Sequence, residues 1–367
     1  MSFCDFYRNR RVLVTGHTGF WGSWLSIWLK ALRAQVTGYA LPPEGAPNLF
    51  TPADVGANMN HLIGDIRDFN KLTEVFDDAK PEVVFHLAAR SSARDAYDDP
   101  RAAFDVNVQG TVNVLEAVRR CSSVSTVVVV TSDKCYENHE WIFGYRENDP
   151  IGGDDPHSAT KGAAELVTRS YTRTYFCEGG PRPLGAAAVR AGNAVGGGDF
   201  SAHRLIPDAV RAVLSGEVLQ IRRPNAVRPW QFVLEPLSGI LALACRLAES
   251  PSKYSGPWNF GPAEGGAVPV YELVEHFLSH FENGRWEDAS EPAADGLREA
   301  GFLRLSTDKA RHLLGWRGVF TTAEAAEAAA RWYKHVLIDK MNAQKMCIKD
   351  IGEYVEQAAR VDAWWAV

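Results

Sequence analysis

The segment V-T-G-H-T-G-F-W-G-S at residues 14–23 constrains this chain most. It places Gly16, Gly19 and Gly22 between an apolar, β-branched run, Arg11–Thr15, and a stretch in which Trp21, Trp24, Leu25, Trp28 and Leu32 recur at three- and four-residue steps. That stripe is the buried face of a helix lying on a sheet, and its tryptophans read as core rather than ligand stackers. Glycines at a strand-to-helix turn let backbone N–H groups approach a pyrophosphate, whose charge the helix N-terminus favours. A glycine triplet alone is weak, but in this context it predicts dinucleotide binding rather than a merely tight turn.

Further strand-like runs follow at Gln35–Ala40, His61–Ile63, Val83–Leu87, Thr126–Thr131 and Ala186–Arg190. Helical patterns separate most of them, which predicts βαβ units and a parallel α/β sheet. Val127–Val130 is continuously apolar, as a central strand covered on both faces must be, and Asp133 and Lys134 follow at once. Charges there sit at a strand's carboxyl end, where open α/β sheets bind ligands. Beyond Arg190 come a glycine-rich loop, a helix over Pro207–Ser215, a short strand Val218–Arg222 and an Arg-Pro-Trp segment, the pattern of a smaller lobe covering the site. Residues 282–301 are polar without clear period, Thr321–His335 is Ala-rich and helical, and neither a repeat nor a flexible linker is evident.

Composition narrows the classes further. Of 367 residues, 46% are hydrophobic and 23% charged, so the chain can bury a sizeable core and is not disordered. Lys and Arg total 39 against 45 Asp and Glu, a formal charge of -6 that offers no basic field for nucleic acid or an anionic membrane. The six cysteines are scattered without a C-x-x-C pair, which predicts reduced thiols and no structural metal. No apolar run approaches the roughly 20 residues of a membrane helix, and the N-terminus lacks a signal-peptide core. A cytoplasmic protein is expected.

Longer motifs are more specific. Through TGHTGFWG, GDIRD, FHLAA and NVQGTVNVLEA the chain resembles the extended short-chain dehydrogenase/reductase family over about residues 6–335. Through TSDKCYEN, GYREND, IGGDDP, VRAGN-VGGGD, RLIPD and RPWQ-VLEPLSG it looks like that family's CDP-D-glucose 4,6-dehydratase branch. The resemblance implies a doubly wound parallel Rossmann sheet with a smaller α/β C-terminal substrate-binding lobe. The expected division is an NAD-binding domain over 1–190 to which later segments return, a nucleotide-sugar lobe over 191–335, and a helical tail over 336–367. It also implies tightly bound NAD, held by Gly16, Thr18, Gly19, Phe20, Trp21, Gly22, Asp65, Ile66, Leu87, Ala88, Ala89, Arg90, Asn107, Thr131 and Lys161. Asp65 would accept from the adenine amino group, or would simply cap the next helix. Residues 36–41 read V-T-G-Y-A-L, without the usual ribose-clamping acid and with no arginine directly after, so they decide NAD over NADP only weakly.

The reaction so implied needs two acid/base devices. One takes the sugar's 4-hydroxyl proton as hydride leaves C4; the other removes the C5 proton and expels the 6-hydroxyl as water before hydride returns to C6. By resemblance Asp133 would protonate the leaving hydroxyl and Lys134 would take the C5 proton, with a strand-end ion pair as the alternative. Ser132 would orient the 4-hydroxyl. The family's C4 device is Tyr-x-x-x-Lys on one helix face, yet this chain reads H-S-A-T-K, with Lys161 present and His157 in the tyrosine's place. A neutral imidazole, titrating near 6.5 unperturbed, can act as a base at physiological pH. Its shorter reach argues against it, and the alternative is a histidine that caps or packs after Pro156.

Trp21, Phe232 and Arg90-Ser-Ser-Ala-Arg94 stand where the branch carries lysine, histidine and Q-P-L-V-R, which suggests an altered substrate, with Arg90 offering donors to a carboxylate or phosphate. For the nucleotide-diphosphate sugar, CDP-glucose by resemblance, the expected contacts are Arg94, Tyr145, Asn193, Arg204, Leu205, Arg228 and Gln231, with packing as the alternative for Tyr145. Competing outcomes are an epimerase, decarboxylase or dehydrogenase on another activated sugar, or a non-catalytic NAD and nucleotide-sugar binder. The family's helix pairing implies a homodimer or homotetramer through Val108, Val112, Leu115 and Leu166.

Overall fold

The apolar runs become the parallel strands β1 Arg11–Thr15, β2 Gln35–Ala40, β3 Asn60–Ile63, β4 Val83–His86, β5 Thr126–Val130 and β6 Gly185–Ala191, joined by a seventh, β7 Gly256–Phe260. The computed structural model describes residues 2–262, 266–290 and 300–366, so part of the unpatterned stretch 282–301 lies outside the described residues. All pairs are parallel, in the order β7-β6-β5-β4-β1-β2-β3. The order reverses at β1 and β4, where Thr15 pairs with His86, and this opens a crevice at the strands' carboxyl ends. Sequence patterning missed β7, since G-P-W-N-F has no β-branched residue. Its pairing with β6 and the full burial of Trp258 and Phe260 make it a strand.

The helices that matter for the site and its support are α1 Phe20–Ala31, α2 Gly110–Arg120, α3 Pro156–Thr174, α4 Leu205–Ser215, α5 Leu234–Glu249, α6 Thr322–Tyr333 and α7 Ala343–Arg360. Trp24, Leu25 and Trp28 of α1 are buried as the stripe predicts, each worth roughly 1.5–3 kcal/mol over an exposed side chain. Trp21, at the mouth of the helix, is only half-buried. Beyond β6, helix α4 starts two residues earlier than the Pro207 expected, and the short strand pairs Leu219–Ile221 with Trp286–Asp288 and Val227–Pro229 with Ala267–Pro269 follow. The carboxyl-terminal helix is part of the main core: Trp365 stacks on Phe3 at 4.9 Å and on Tyr354 of α7 at 5.9 Å. No helix among the described residues is long and apolar enough to cross a membrane.

Phe232 corrects one expectation. It is fully buried, stacked on Phe320 at 5.3 Å with Trp24 at 6.3 Å, so the aromatic found where the branch has histidine fills the core beneath α7 and does not face a substrate.

Nearby, Glu235 of α5 is fully buried and accepts the Val319 and Phe320 N–H groups at 2.8 and 2.6 Å and the Tyr354 hydroxyl at 2.8 Å. Burial pushes its carboxyl up to about 7 from an ordinary 4.5. The folded state therefore holds a proton that the unfolded chain releases, and the stability this contributes is full below pH 4.5 and lost as pH rises through 7. Glu235→Gln, which cannot ionise, is expected to lower Tm less at pH 8 than at pH 5. An equal Tm deficit at both values would contradict the assignment.

Candidate active site

The glycine loop after β1 is closed too tightly for side chains. Gly16 has φ +78°, a Cβ on it would lie 2.6 Å from the Ala88 nitrogen, and one on Gly22 would lie 2.1 Å from the Gly16 oxygen. Helix α1 starts from Gly19 with no side-chain cap, which leaves first-turn N–H groups for an anion. Thr18 fastens the loop by donating to the Leu41 carbonyl at 2.9 Å, and Leu87 N–H donates to Thr15 O at 3.1 Å. A backbone-only cradle at a helix N-terminus fits the pyrophosphate of a dinucleotide, with Phe20 and Trp21 half-buried at its rim.

Asp65 is gripped by Arg67, whose guanidinium donates to it at 2.6 Å and whose backbone N–H donates at 2.9 Å, and these bonds hold its carboxyl below the usual range. The helix that follows is capped instead by Asp68, which accepts from Lys71 N–H at 3.1 Å. Ile66 is buried against Gly110.

Asn107 lies on a wide π turn, Asp105–Gln109, that re-aims its side chain. It accepts Arg90 N–H at 2.8 Å and donates to Arg90 O at 3.1 Å and Thr160 Oγ1 at 2.9 Å, tying the loop after β4, with Ala88, Ala89 and Arg90, to α3. The Arg90 guanidinium already has an acidic neighbour, Asp99 at 3.6 Å, and Arg94 is exposed on its short helix.

Just beyond β5, Ser132 caps the tight turn Asp133–Cys135, accepting Lys134 N–H at 3.2 Å and donating to Asp133 Oδ1 at 2.9 Å. Asp133 is 2% exposed, and its Oδ2 has no partner among the described residues. Burial pushes its carboxyl up against the opposing pull of Lys134 and Arg228. A half-satisfied, raised carboxyl is poised to donate a proton, whereas a plain ion pair would be held low. The Lys134 side chain is exposed beside it.

Helix α3 opens with Pro156 in its first turn, and Asp155 caps it by accepting Ser158 N–H at 3.0 Å. Capping is thus not the role of His157, which is 4% exposed with Nδ1 unpartnered among the described residues. Burial, then Lys161 and Lys134, lower its pKa to about 3. The imidazole is neutral, as required of a base, yet weaker than the ordinary value near 6.5 suggests. Lys161, one turn on and 7% exposed, is lowered by burial to about 8.

From the smaller lobe, Arg204 precedes Leu205 at the start of α4 and donates to Asp199 and to Ser91 of the loop after β4, both at 3.1 Å. Its charge also reaches His157. Arg228 donates to the Val227 and Ala300 carbonyls, and its charge reaches Asp133. Gln231 donates to Phe260 O at 3.3 Å, its N–H donates to Asn193 O at 3.0 Å, and its Oε1 is buried without a partner among the described residues. Tyr145 takes the packing alternative: it is fully buried, its hydroxyl is spent on Asn138 and His139 N–H, and it stacks on Tyr136 at 5.1 Å.

Sequence reasoning missed a buried group behind these residues, Glu165, Arg190, Tyr136 and Asn259. Two signals were present: Glu165 continues the four-residue spacing from His157 and Lys161, and Arg190 is a lone charge in the apolar strand G-A-A-A-V-R-A.

Three comparisons bear on this site. The model of the NAD dependent epimerase/dehydratase family matches residues 12–255. The chain is 43% identical over 335 residues to a CDP-glucose 4,6-dehydratase of Salmonella typhimurium, covering 90% of this chain and 92% of that one. It is 34% identical to a UDP-glucose 4-epimerase of Mycolicibacterium smegmatis, covering 89% and 99%. Among solved structures, an epimerase of Methanothermobacter thermautotrophicus superposes with a TM-score of 0.76 at 25% identity, covering 92% of this chain and 96% of that one.

Proposed function

Because the chain belongs to the NAD dependent epimerase/dehydratase family, we propose that it is a cytoplasmic nucleotide-sugar 4,6-dehydratase that converts CDP-glucose to CDP-4-keto-6-deoxyglucose. The observation that carries this reading is Asp133: a buried carboxyl with one free oxygen, pushed toward its neutral form, beside Lys134 at the end of β5. A 4-epimerase needs acid/base chemistry only at C4. Eliminating water across C5 and C6 needs a second proton donor and acceptor, and Asp133 with Lys134 supplies them.

Gly16, Gly19 and Gly22 would hold the pyrophosphate of NAD, and Lys161 its ribose. Bound NAD supplies the hydride acceptor and donor; we take it to be NAD rather than NADP and to stay bound through turnover. Ser132 orients the 4-hydroxyl and His157 takes its proton. Lys134 then removes the C5 proton, and Asp133 protonates the departing 6-hydroxyl. Residues 191–335 act as the lobe that receives the nucleotide sugar, with Arg204, Arg228 and Asn193 near its diphosphate and ribose. His157 acts here as a weak base, with burial and two lysines opposing its positive form.

A different sugar read by Arg90 has less support, because Asp99 already faces that guanidinium. For assembly we place a homodimer contact on α2 with the segment before it and on α3. There Phe104 and Leu166 are 44% and 47% exposed and Val108 and Val112 half-buried, while Leu115, fully buried, belongs to the core instead.

Mass spectrometry of incubations with CDP-, UDP-, dTDP- and GDP-glucose tests the function. Loss of one water from CDP-glucose is expected. Conversion of another nucleotide alone would overturn the cytosine assignment, and no loss from any would overturn the dehydratase reading.

A further inference from the structure

Glu165 and Arg190 form an ion pair at 2.9 Å with side chains 3% and 1% exposed. Buried pairs contribute little net stability, and well-packed apolar residues often replace them without loss. What this pair touches suggests another role. One Glu165 oxygen accepts from Arg190 and the other accepts the Thr131 hydroxyl at 2.5 Å. Arg190 donates to the Tyr136 hydroxyl at 2.7 Å, lies 4.7 Å over that ring, and donates to Glu147 O at 3.1 Å. The Tyr136 hydroxyl in turn donates to Asn259 Oδ1 at 2.7 Å, anchoring the group to β7.

Thr131 and Tyr136 bracket the residues that carry Ser132, Asp133 and Lys134, so both ends of that turn are fastened to one Glu–Arg pair. Glu165 meanwhile sits one helical turn after Lys161 and two after His157, on the same face of α3. We infer that Glu165 and Arg190 are positioning residues that hold the C5/C6 acid/base turn in register with the helix bearing the C4 base. The inference rests on the dehydratase reading. A ketone made at C4 is useful only if Asp133 and Lys134 already stand over C5 and C6, and the pair joins the two halves directly. Glu165 also offsets the burial that lowers Lys161, so its loss would act on both halves.

The test compares the unaltered protein with Thr131→Val, which cuts one fastening and leaves the ion pair, and with Glu165→Gln. The readouts are kcat, KM, NAD content and, in a single turnover, the share of oxidised CDP-glucose found as the 4-ketone with its 6-hydroxyl intact, matched by an equal amount of NADH left on the enzyme. Because about 1 Å of misplacement can cost roughly a hundredfold, kcat for water loss, taken per bound NAD, is expected to fall by about 10- to 100-fold with KM little changed and the 4-ketone share raised. A merely structural role would lower the active fraction without moving that share. If Glu165→Gln does not fold, Thr131→Val decides. An unchanged share in folded variants overturns the inference, while absence of water loss by the unaltered protein overturns the dehydratase reading instead.

Discussion

His157→Phe is expected to lower kcat for CDP-glucose by about 10²- to 10⁴-fold, the usual contribution of a positioned general base, with KM and NAD content nearly unchanged. Phenylalanine fills a similar volume at a site that is 4% exposed, so the fold should survive and the loss be chemical. The pH profile carries a second mark. With its pKa lowered to about 3, His157 is neutral throughout the ordinary range, and its acid limb lies far below the 6.5 of an unperturbed imidazole. A His157→Phe variant that turns over normally would show that another group takes the proton, whereas an acid limb near 6.5 in the unaltered protein would show that the imidazole is not lowered by its surroundings.

Asp133→Asn should separate the two halves of the reaction. The amide keeps the shape and can still accept from Ser132, but it cannot deliver a proton to the leaving 6-hydroxyl. Water loss is expected to drop by about 10²- to 10⁴-fold while C4 oxidation still occurs, so that the 4-ketone builds up to one equivalent per bound cofactor, with an equal amount of NADH left on the enzyme. Solvent deuterium should still enter at C5, since Lys134 is intact. Equal loss of oxidation and elimination would mean that Asp133 shapes the site instead of acting as its acid.

The parts of this architecture written locally were legible in the sequence. The glycine cradle, the α1 stripe and six of the sheet's strands depend on neighbours in the chain, and each appears within a residue or two of its expected bounds. β7 was not legible, because its strand character comes from pairing with β6 and not from its own residues. The same limit applies to side chains. Phe232 and Leu115 read as a substrate position and an interface position, yet both are fully buried, and only the packing around them decides that. Tyr145 was read with both options open, and its stacking on Tyr136 selects one. His157 was visible as a departure from Tyr-x-x-x-Lys, but its weakness as a base was not, because that arises first from burial and then, beside Lys161, from Lys134, distant in sequence. Glu165 and Arg190 lie 25 residues apart and meet only when α3 packs on the sheet.

The central claim is a 4,6-dehydratase with His157 as its C4 base, and incubation with CDP-glucose carrying deuterium at C4 tests it most directly. The account predicts a product lacking one water, with the deuterium now at C6 of the same molecule and turnover slower than with unlabelled substrate. Deuterium retained at C4 with no water lost, or water lost with the label left in place, would contradict it.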